Sequence, residues 1–369
     1  MEINKQLQSA GDNAQQMQAS VINVYQGITE QRAREIYNEM SLETCKENTI
    51  EAEAKAIERI EKLESICIPR LEQEDKIFEC FSDPSFQVLI KKAQLTAVCT
   101  ERENDYAILS ELLVHRIKNK TNVKKKASIA KAVEIIDQID EDSLLALTVF
   151  LAINQFLPIS GNITMGLQAL DDLYSKLDLD NLPTDSSWID NLSILGAINT
   201  VSFGSMKKYE KYFSEQLTGY VCIGIKKDSE NYNKAIQLLK ENSLDINWLV
   251  ENELLSDYFR LDIPYKQQID ELKLNQTIIY NGQKINTTVM PSEQQKECLN
   301  KIFDLYEKNN SLYSQAKNNF ELKLDTFPSI KKAKTWWNSL KGSIHLTSVG
   351  RVIAHTNAKS IDPTLPNLD

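Results

Sequence analysis

The N-terminal part of the chain begins with an alternating pattern of apolar and polar residues. Met17 and Val21 lie on one face of an extended chain, and Ile22 and Val24 continue the alternation shifted by one residue. Such a shift is typical of a bulge or a corner between two short strands. No partner strand follows nearby in the sequence, so we expect residues 1–27 to form a β-type leader that pairs with other copies of the chain. The alternative interpretation is a disordered tail.

A helical pattern follows Thr29, which is a favourable N-cap residue. Apolar residues then recur on one narrow stripe with charged flanks, a pattern close to that of a coiled coil. We predict a long charged helix over residues 28–75. Its continuity is in question at Asn48-Thr49, which could divide it, and at Pro69, which could kink or break it.

The leader and the long helix together predict an obligate homo-oligomer. In an isolated chain, each of these two elements would bury little apolar surface and would be only marginally stable. Repeated around a symmetry axis, the leaders could pair and the helices could pack as a bundle, which would also cover exposed strand edges. We prefer a trimer, with a dimer or a hexamer as alternatives, and we also expect a protein partner. The residues predicted at the interface between copies are Met17, Val21, Ile22, Val24, Ile36, Ile50 and Ile57.

Most of the remaining chain has the periodicity of helices, and residues 76–265 are predicted to form a helical core domain. The segment 144–157 is apolar nearly all round, which predicts a helix at the centre of the core. Residues 246–255 are also predicted to be helical. One exception is the run 219–225, which is rich in β-branched residues, is flanked by glycine and predicts a strand.

The clearest β pattern lies in the C-terminal unit, residues 266–369. Apolar and polar residues alternate on both sides of Asn281-Gly282, which is typical of a β-hairpin closed by a type I′ turn. A long polar helix is predicted over residues 292–324. A short strand over residues 343–346 then leads into a final helix.

These patterns predict a mainly α, multi-helix protein with a short N-terminal β leader, one Asn-Gly β-hairpin and a small C-terminal α+β unit. The composition agrees, because only 11 of 369 residues are glycine, about half of average usage, and scarce glycine favours helices. With 42% apolar and 25% charged residues, the chain is globular in composition. The predicted domain ranges are 1–27, 28–75, 76–265 and 266–369.

The net charge of −10 argues against a general nucleic-acid coat, but one segment, residues 115–131, is locally basic. No aromatic residue is interleaved with its lysines, which counts against a stacking platform for single strands. Two interpretations stay open: a solvated loop between helices, or a contact for phosphate or for an acidic partner. The residues predicted for anion or nucleic-acid contact are Arg116, Lys118, Lys120, Lys124, Lys125, Lys126 and Lys131.

Motifs for catalysis or for a cofactor are absent from the sequence. It contains no GxGxxG, no P-loop and no Gly-x-Ser-x-Gly. His345 and His355 are ten residues apart, which is not a zinc-site spacing, and no two cysteines form a CxxC pair. We therefore expect no cofactor and no metal, and we favour a protein that is not an enzyme.

The six cysteines predict reduced, buried thiols, as in a cytosolic protein. The first residues lack the basic and apolar regions of a secretory signal. The longest apolar run is too short and too polar to span a bilayer. We expect a soluble, cytoplasmic protein without membrane contact.

Short stretches at the two ends of the chain are Gly11-Asp12-Asn13 and Gly27-Ile28-Thr29 near the start and Leu346-Thr347-Ser348-Val349-Gly350 near the end. They resemble those of a group of uncharacterised bacterial helical proteins, some of which are suspected of roles in defence against phage. The resemblance implies no activity and no catalytic residues. The final strand and helix are also similar to the closing part of winged-helix modules, where Leu-Thr-x-x-Gly begins the last helix; the alternative is an ordinary helix N-cap.

The expected function is that of a non-enzymatic, homo-oligomeric interaction or sensor protein in a bacterial anti-phage system. The alternative is a nucleic-acid-binding module that uses the basic segment and the winged-helix-like C-terminal unit. Retention on nucleic acid that weakens steeply with salt would separate the two, because phosphate contacts release counterions.

Overall fold

The computed structural model describes residues 30–74, 80–201, 204–280 and 283–368, and it describes side chains in all of these except 30–48 and 275–287. The predicted leader, residues 1–27, lies outside this part of the chain. Two compact units are present, residues 1–58 and residues 59–369. Whether the four predicted ranges fold as separate domains stays a prediction.

The first helix, α1 (Glu30–Leu71), accounts for the described part of the first unit and continues into the second. It is unbroken at Asn48-Thr49, and Pro69 lies inside its last turn. A proline there removes one backbone hydrogen bond close to the helix end, where little of the helix remains to be disrupted. The predicted long helix is therefore divided neither at Asn48-Thr49 nor at Pro69.

The second unit is mainly helical, which confirms the predicted fold class. The helices after α1 are α2 (Pro84–Cys99), α3 (Glu103–Lys118), α4 (Val123–Ile135), α5 (Glu141–Gln155), α6 (Ile163–Ser175), α7 (Ser187–Ile194), α8 (Tyr209–Gln216), α9 (Glu230–Glu241), α10 (Glu293–Asp304), α11 (Asn310–Leu324), α12 (Pro328–Ser339) and α13 (Ser348–Ile361). The strands are β1 (Ile198–Val201), β2 (Ile225–Lys226), β3 (Leu249–Glu251), β4 (Tyr258–Leu261), β5 (Leu274–Tyr280), β6 (Gln283–Val289) and β7 (Ser343–Leu346).

The strands pair in three small antiparallel sheets. β1 pairs with β7, and β4 lies between β2 and β3. β5 and β6 form the predicted hairpin, in a register that sets Leu274 opposite Val289 and Tyr280 opposite Gln283. The hairpin is thus confirmed, while the two residues of its turn lie outside the described residues.

The main hydrophobic core is built around α5 and α13. All but one of the residues from Ser143 to Ile153 in α5 are buried, as its apolar composition predicts. α13 packs on α5 and also on α3 and α4, and its residues from Val352 to Ala358 are all buried. The C-terminal helix is therefore a central element of the core.

A second, smaller hydrophobic cluster joins the three-stranded sheet to α9 and α10. Its members come from sequence positions 225–302, so they include residues on both sides of the predicted boundary at residue 265. The buried residues at its centre are Ile225, Ala235, Leu239, Leu261, Ile263, Leu299 and Ile302.

The predicted single helix over residues 292–324 is wrong, because two helices occupy this range. Ser292 starts α10 with a capping box: its hydroxyl accepts from the Gln295 amide at 3.2 Å, and the Gln295 side chain accepts from the Ser292 amide at 2.9 Å. α10 ends at Asp304, and Asn309 caps α11. An asparagine side chain competes well for free amides at a helix start, which favours a new helix there.

The predicted strand over residues 219–225 is wrong except at its last residue. The amides of Tyr220 and Val221 both donate to the Leu217 carbonyl at 3.0 Å, as in a turn. The Gly219 backbone lies so close to Ile263 that a Cβ atom would be 2.0 Å from the Ile263 carbonyl oxygen. The run is apolar because it is buried as a connection, not because it pairs as a strand.

The predicted helix over residues 246–255 is also wrong. A 3₁₀ turn, Ile246–Trp248, leads directly into β3. The buried Asn252 side chain then donates to the carbonyls of Cys222 and Ile223, at 2.9 and 3.0 Å, and accepts from the Leu254 amide at 2.9 Å. These side chain-to-backbone bonds favour a turn over a helix.

Candidate anion-binding pocket

The predicted oligomerisation residues lie in the first unit. Ile36 lies in α1. Ile50 and Ile57 are 68% and 58% exposed, and their spacing of seven residues sets them on one face of the helix. The predicted residues that lie outside the described part of the chain are Met17, Val21, Ile22 and Val24.

Part of the basic segment has a structural role. Arg116 is 3% exposed, and its Nη2 atom donates to Asp83 Oδ2 at 3.0 Å and to Ser85 Oγ at 2.9 Å. Hydrogen bonds from Ser85, with a smaller contribution from the Arg116 guanidinium, lower the pKa of Asp83. Arg116 therefore ties α3 to the start of α2 and is not a residue of the solvated surface.

Two further lysines of the segment have carboxylate partners. Lys118 pairs with Glu74 at 3.1 Å, and Lys131 pairs with Glu134 at 3.8 Å. In each pair the lysine is exposed and the glutamate is half-buried, so the pairs contribute little to stability but partly neutralise the lysines. Lys120 lies in the connection between α3 and α4.

The remaining lysines, Lys124, Lys125 and Lys126, lie in the first turn and a half of α4 and form no ion pair with a described residue. Lys124 and Lys125 line a pocket of about 300 Å³. We call this the basic pocket. Its other walls are the end of α3, the first turn of α13 and Leu368 in the C-terminal tail.

The basic pocket brings together residues that are more than 200 positions apart in the sequence. Arg351, from the first turn of α13, also lines it and likewise forms no ion pair with a described residue. Ser128 of α4 and Ser348 of α13 lie 2.8 Å apart through their hydroxyl oxygens. This contact holds the beginnings of the two helices side by side.

Each of these two helices presents free amides at its start. The Asn122 side chain accepts from the Lys125 amide at 3.0 Å, and the Thr347 hydroxyl accepts from the Gly350 amide at 3.1 Å. The other first-turn amides have no partner among the described residues, and they carry the positive end of the helix dipole. These amides belong to Val123, Lys124, Ser348 and Val349.

The position of α13 follows from the motif that resembles winged-helix modules. The Thr347 amide and hydroxyl both donate to the Ala197 carbonyl, at 3.0 and 2.9 Å. Gly350 lies against the same carbonyl, where a Cβ atom would be 2.0 Å from the oxygen. The motif therefore anchors α13 beside β1. Because most of the helix is buried, only its first turn, with Ser348 and Arg351, is exposed at the pocket.

His115 forms the inner wall of the basic pocket. It is 6% exposed, and its Nε2 atom lies 3.3 Å from Glu111 Oε1. Its Nδ1 atom has no hydrogen-bond partner among the described residues. The hydrogen bond with His115 lowers the pKa of Glu111, which also lies 3.4 Å from Arg70. Glu111, the acidic neighbour of His115, is thus already paired.

A second histidine connects this wall to the C-terminal tail. His355 is fully buried, its ring lies 6.1 Å from that of His115, and its Nε2 atom donates to the Pro366 carbonyl at 2.9 Å. Burial lowers the pKa of His355, which favours the neutral form of the ring. The bond to Pro366 positions the tail, and Leu368 completes an apolar wall together with Ile129 and Val352.

The two lysines of this pocket are among the residues predicted for anion contact, whereas Arg351, His115 and both serines are not. Their only sequence signals are their neighbours: Ser348 follows a helix N-cap, and His115 precedes the basic run. The contact between α4 and α13 cannot be predicted from the sequence of either segment alone.

Metal sites, membrane-spanning helices and free thiols are further features to consider in the described part of the chain. It contains no group of three or more His, Cys, Asp or Glu side chains that could hold a metal ion. No described helix is both long enough and apolar enough to cross a membrane. Of the cysteines with described side chains, Cys99 is exposed, and the buried free thiols are Cys67, Cys80, Cys222 and Cys298.

Comparison with known proteins identifies a family for the chain. No curated protein and no solved structure matches the chain. A family model whose description ends in "-like" and names no activity matches residues 27–366, which is most of the chain. The chain therefore belongs to this uncharacterised family.

Proposed function

We propose that this protein is a non-enzymatic sensor or interaction protein that binds a small anion in the basic pocket. The observation that carries the proposal is the convergence of Lys124, Lys125 and Arg351 on one cavity in a chain of net charge −10. None of the three forms an ion pair with a described residue. Unpaired like charges repel each other, and a bound anion relieves that repulsion.

The helix starts support the same conclusion. Helix N-termini bind anions because their free amides and the helix dipole both favour negative charge. α4 and α13 have 13 and 14 residues, long enough to carry a full dipole. The bond between Ser128 and Ser348 fixes the two starts relative to each other, so the donors are positioned before a ligand arrives.

The size of the pocket favours a small anion over the alternative, a nucleic-acid-binding module. A volume of about 300 Å³ is at the lower end for small-molecule pockets. A duplex needs an exposed element that enters a groove, and α13 is buried over most of its length. Binding should therefore weaken only modestly with salt, because few phosphate charges are neutralised.

We expect inorganic phosphate to stabilise the protein against thermal unfolding more than chloride at the same ionic strength. At roughly ten times the dissociation constant, phosphate should add about 1.4 kcal/mol. The double variant K125Q/R351Q should lose this stabilisation. K331Q, which removes an exposed lysine near the start of α12, should retain it. Equal melting temperatures of the wild type in phosphate and chloride would refute the proposal.

A second element of the proposed function is self-assembly through residues 1–27 and α1. The exposed Ile50 and Ile57 support it, because two large apolar side chains on one helix face favour burial against another copy. We prefer a trimeric coiled-coil bundle, with a dimer or a hexamer as alternatives.

Light scattering tests the assembly. The full-length chain at micromolar concentration should have the mass of an oligomer, and deletion of residues 1–26 or the variant I50E/I57E should reduce it. I194E is the matched control, since Ile194 is 84% exposed on α7 and should leave the mass unchanged. A monomeric full-length chain would contradict this part of the proposal.

The resemblance to bacterial helical proteins supports a setting for this function: a cytoplasmic component of an anti-phage system with a protein partner. In that setting the anion would report infection and the assembly would pass the signal on. Recovery of the same partner from infected and uninfected cells alike would argue against the antiviral role.

A further inference from the structure

We infer that the ligand of the basic pocket is a small aliphatic phosphomonoester, such as a sugar or polyol phosphate, bound by its terminal phosphate. The inference rests on the proposed function and names its ligand class. It follows from the charge of the pocket, from its hydrogen-bonding groups and from its apolar wall.

The charge of the pocket fits a dianion better than a monoanion. Lys124, Lys125 and Arg351 supply three positive charges, and two helix starts add partial positive charge. A phosphomonoester carries about −1.5 to −2 at neutral pH. A carboxylate or an internal phosphodiester of a nucleic acid carries a single negative charge and would leave most of this positive potential unneutralised.

The donors also suit a tetrahedral group with several oxygens. Ser128 is buried, and its hydroxyl oxygen is close enough to bond either the Lys124 carbonyl at 3.0 Å or Ser348 Oγ at 2.8 Å. When Ser128 donates its proton to Ser348 Oγ, the Ser348 hydroxyl keeps its own proton and can turn to donate it to a ligand. Free amides at the starts of two different helices add further donors of the kind that binds phosphate oxygens.

The remaining groups indicate the part of the ligand beyond the phosphate. Ile129, Val352 and Leu368 form an apolar wall that inorganic phosphate could not cover. His115, nine-tenths buried at this pocket, keeps an unpartnered Nδ1 atom, which can bond a hydroxyl group. No Phe, Tyr or Trp lines the pocket, so a stacking surface for a nucleobase is lacking among the described residues.

Calorimetric titration of the full-length protein tests the ligand class with five probes: inorganic phosphate, monobutyl phosphate, glycerol 3-phosphate, diethyl phosphate and pentanoate. The two monoesters should bind roughly ten-fold more tightly than inorganic phosphate, the usual effect of a few well-placed groups in a pocket. The diester and the carboxylate should bind at least about ten-fold more weakly than the monoesters, because they carry a single charge.

Two variants test the contribution of the apolar wall and that of the positive charges separately. L368S should remove most of the advantage of monobutyl phosphate over inorganic phosphate. R351Q should weaken all phosphates alike. K331Q should bind every probe as the wild type does.

The outcomes also separate this inference from the proposed function. If inorganic phosphate binds and R351Q weakens it, but the monoesters bind no tighter, the ligand class is wrong and the anion site stands. Equal affinity for the diester and the monoesters would likewise overturn the ligand class. If none of the phosphates binds, the anion site itself is wrong.

Discussion

The variant G350A is expected to unfold about 3 kcal/mol more easily than the wild type, as for an overpacked core position. A Cβ atom at Gly350 would lie 2.0 Å from the Ala197 carbonyl oxygen, and all of the nearest atoms are backbone, so no side chain can move aside. The steric clash can be relieved only if α13 shifts away from β1. The loss should exceed the gain in helix propensity from glycine to alanine, which is at most about 1 kcal/mol.

A matched control is G342A. Gly342 has a positive φ of +77° but open space around it, with the nearest atom 3.8 Å from an added Cβ. Its cost should be about 1 kcal/mol, from the backbone conformation alone. Chemical denaturation of both variants gives the comparison. If G350A is as stable as G342A, the packing of α13 against β1 is not as described.

The variant R260A is expected to lose about 4 kcal/mol of stability, in the range for a buried charged group whose removal leaves a cavity. Arg260 is fully buried. Its guanidinium donates to the carbonyls of Leu261 at 3.0 Å and Gly161 at 2.7 Å and lies 5.5 Å from the centre of the Tyr220 ring. R70A removes a partly exposed guanidinium that lies 3.4 Å from Glu111 and should cost less than about 1 kcal/mol.

The loss of folding stability in R260A should also depend on pH. Burial raises the pKa of Asp262, and the Arg260 guanidinium partly offsets this rise. Without Arg260 the pKa should rise further. In the folded variant the Asp262 carboxyl then keeps its proton at pH values where the unfolded state has released it. The variant should therefore lose stability as the pH rises from below the ordinary carboxyl pKa to above the raised pKa. The double variant R260A/D262N should lack this dependence. Urea unfolding over pH 3–8 measures it, and a pH-independent loss in R260A would contradict the explanation.

The sequence predicted most of the fold because helices leave local signals. Apolar periodicity and side-chain caps such as Asp140 and Thr347 mark helix starts without knowledge of the rest of the chain. The hairpin was predictable for the same reason, since its turn residues and its alternation are local.

The predictions of secondary structure were wrong where tertiary contacts determine the local conformation. The run 219–225 is apolar because it is enclosed by other segments, and periodicity cannot separate a buried connection from a buried strand. The turn at Asn252 depends on carbonyls about 30 residues earlier in the chain. In residues 292–324 the polar surface of two helices concealed the short break between them.

The candidate site was predicted only in part, because sequence shows charges but not their partners. Arg116 and Lys118 belong to the same basic run as Lys124 and Lys125, yet the first two pair with Asp83 and Glu74. Arg351 joins the second pair only through the packing of α13 on α4. The pocket is a product of the fold, and the basic segment supplies one side of it.

The most direct test of the central claim is the location of a heavy tetrahedral oxyanion in the crystal. Crystals of the full-length protein soaked in tungstate should show an anomalous peak within hydrogen-bonding distance of Ser348 and of the Lys125 and Arg351 side chains. The same soak of K125Q/R351Q crystals should show no peak there. Wild-type crystals with an empty basic pocket, or with tungstate bound only elsewhere on the surface, would contradict the account.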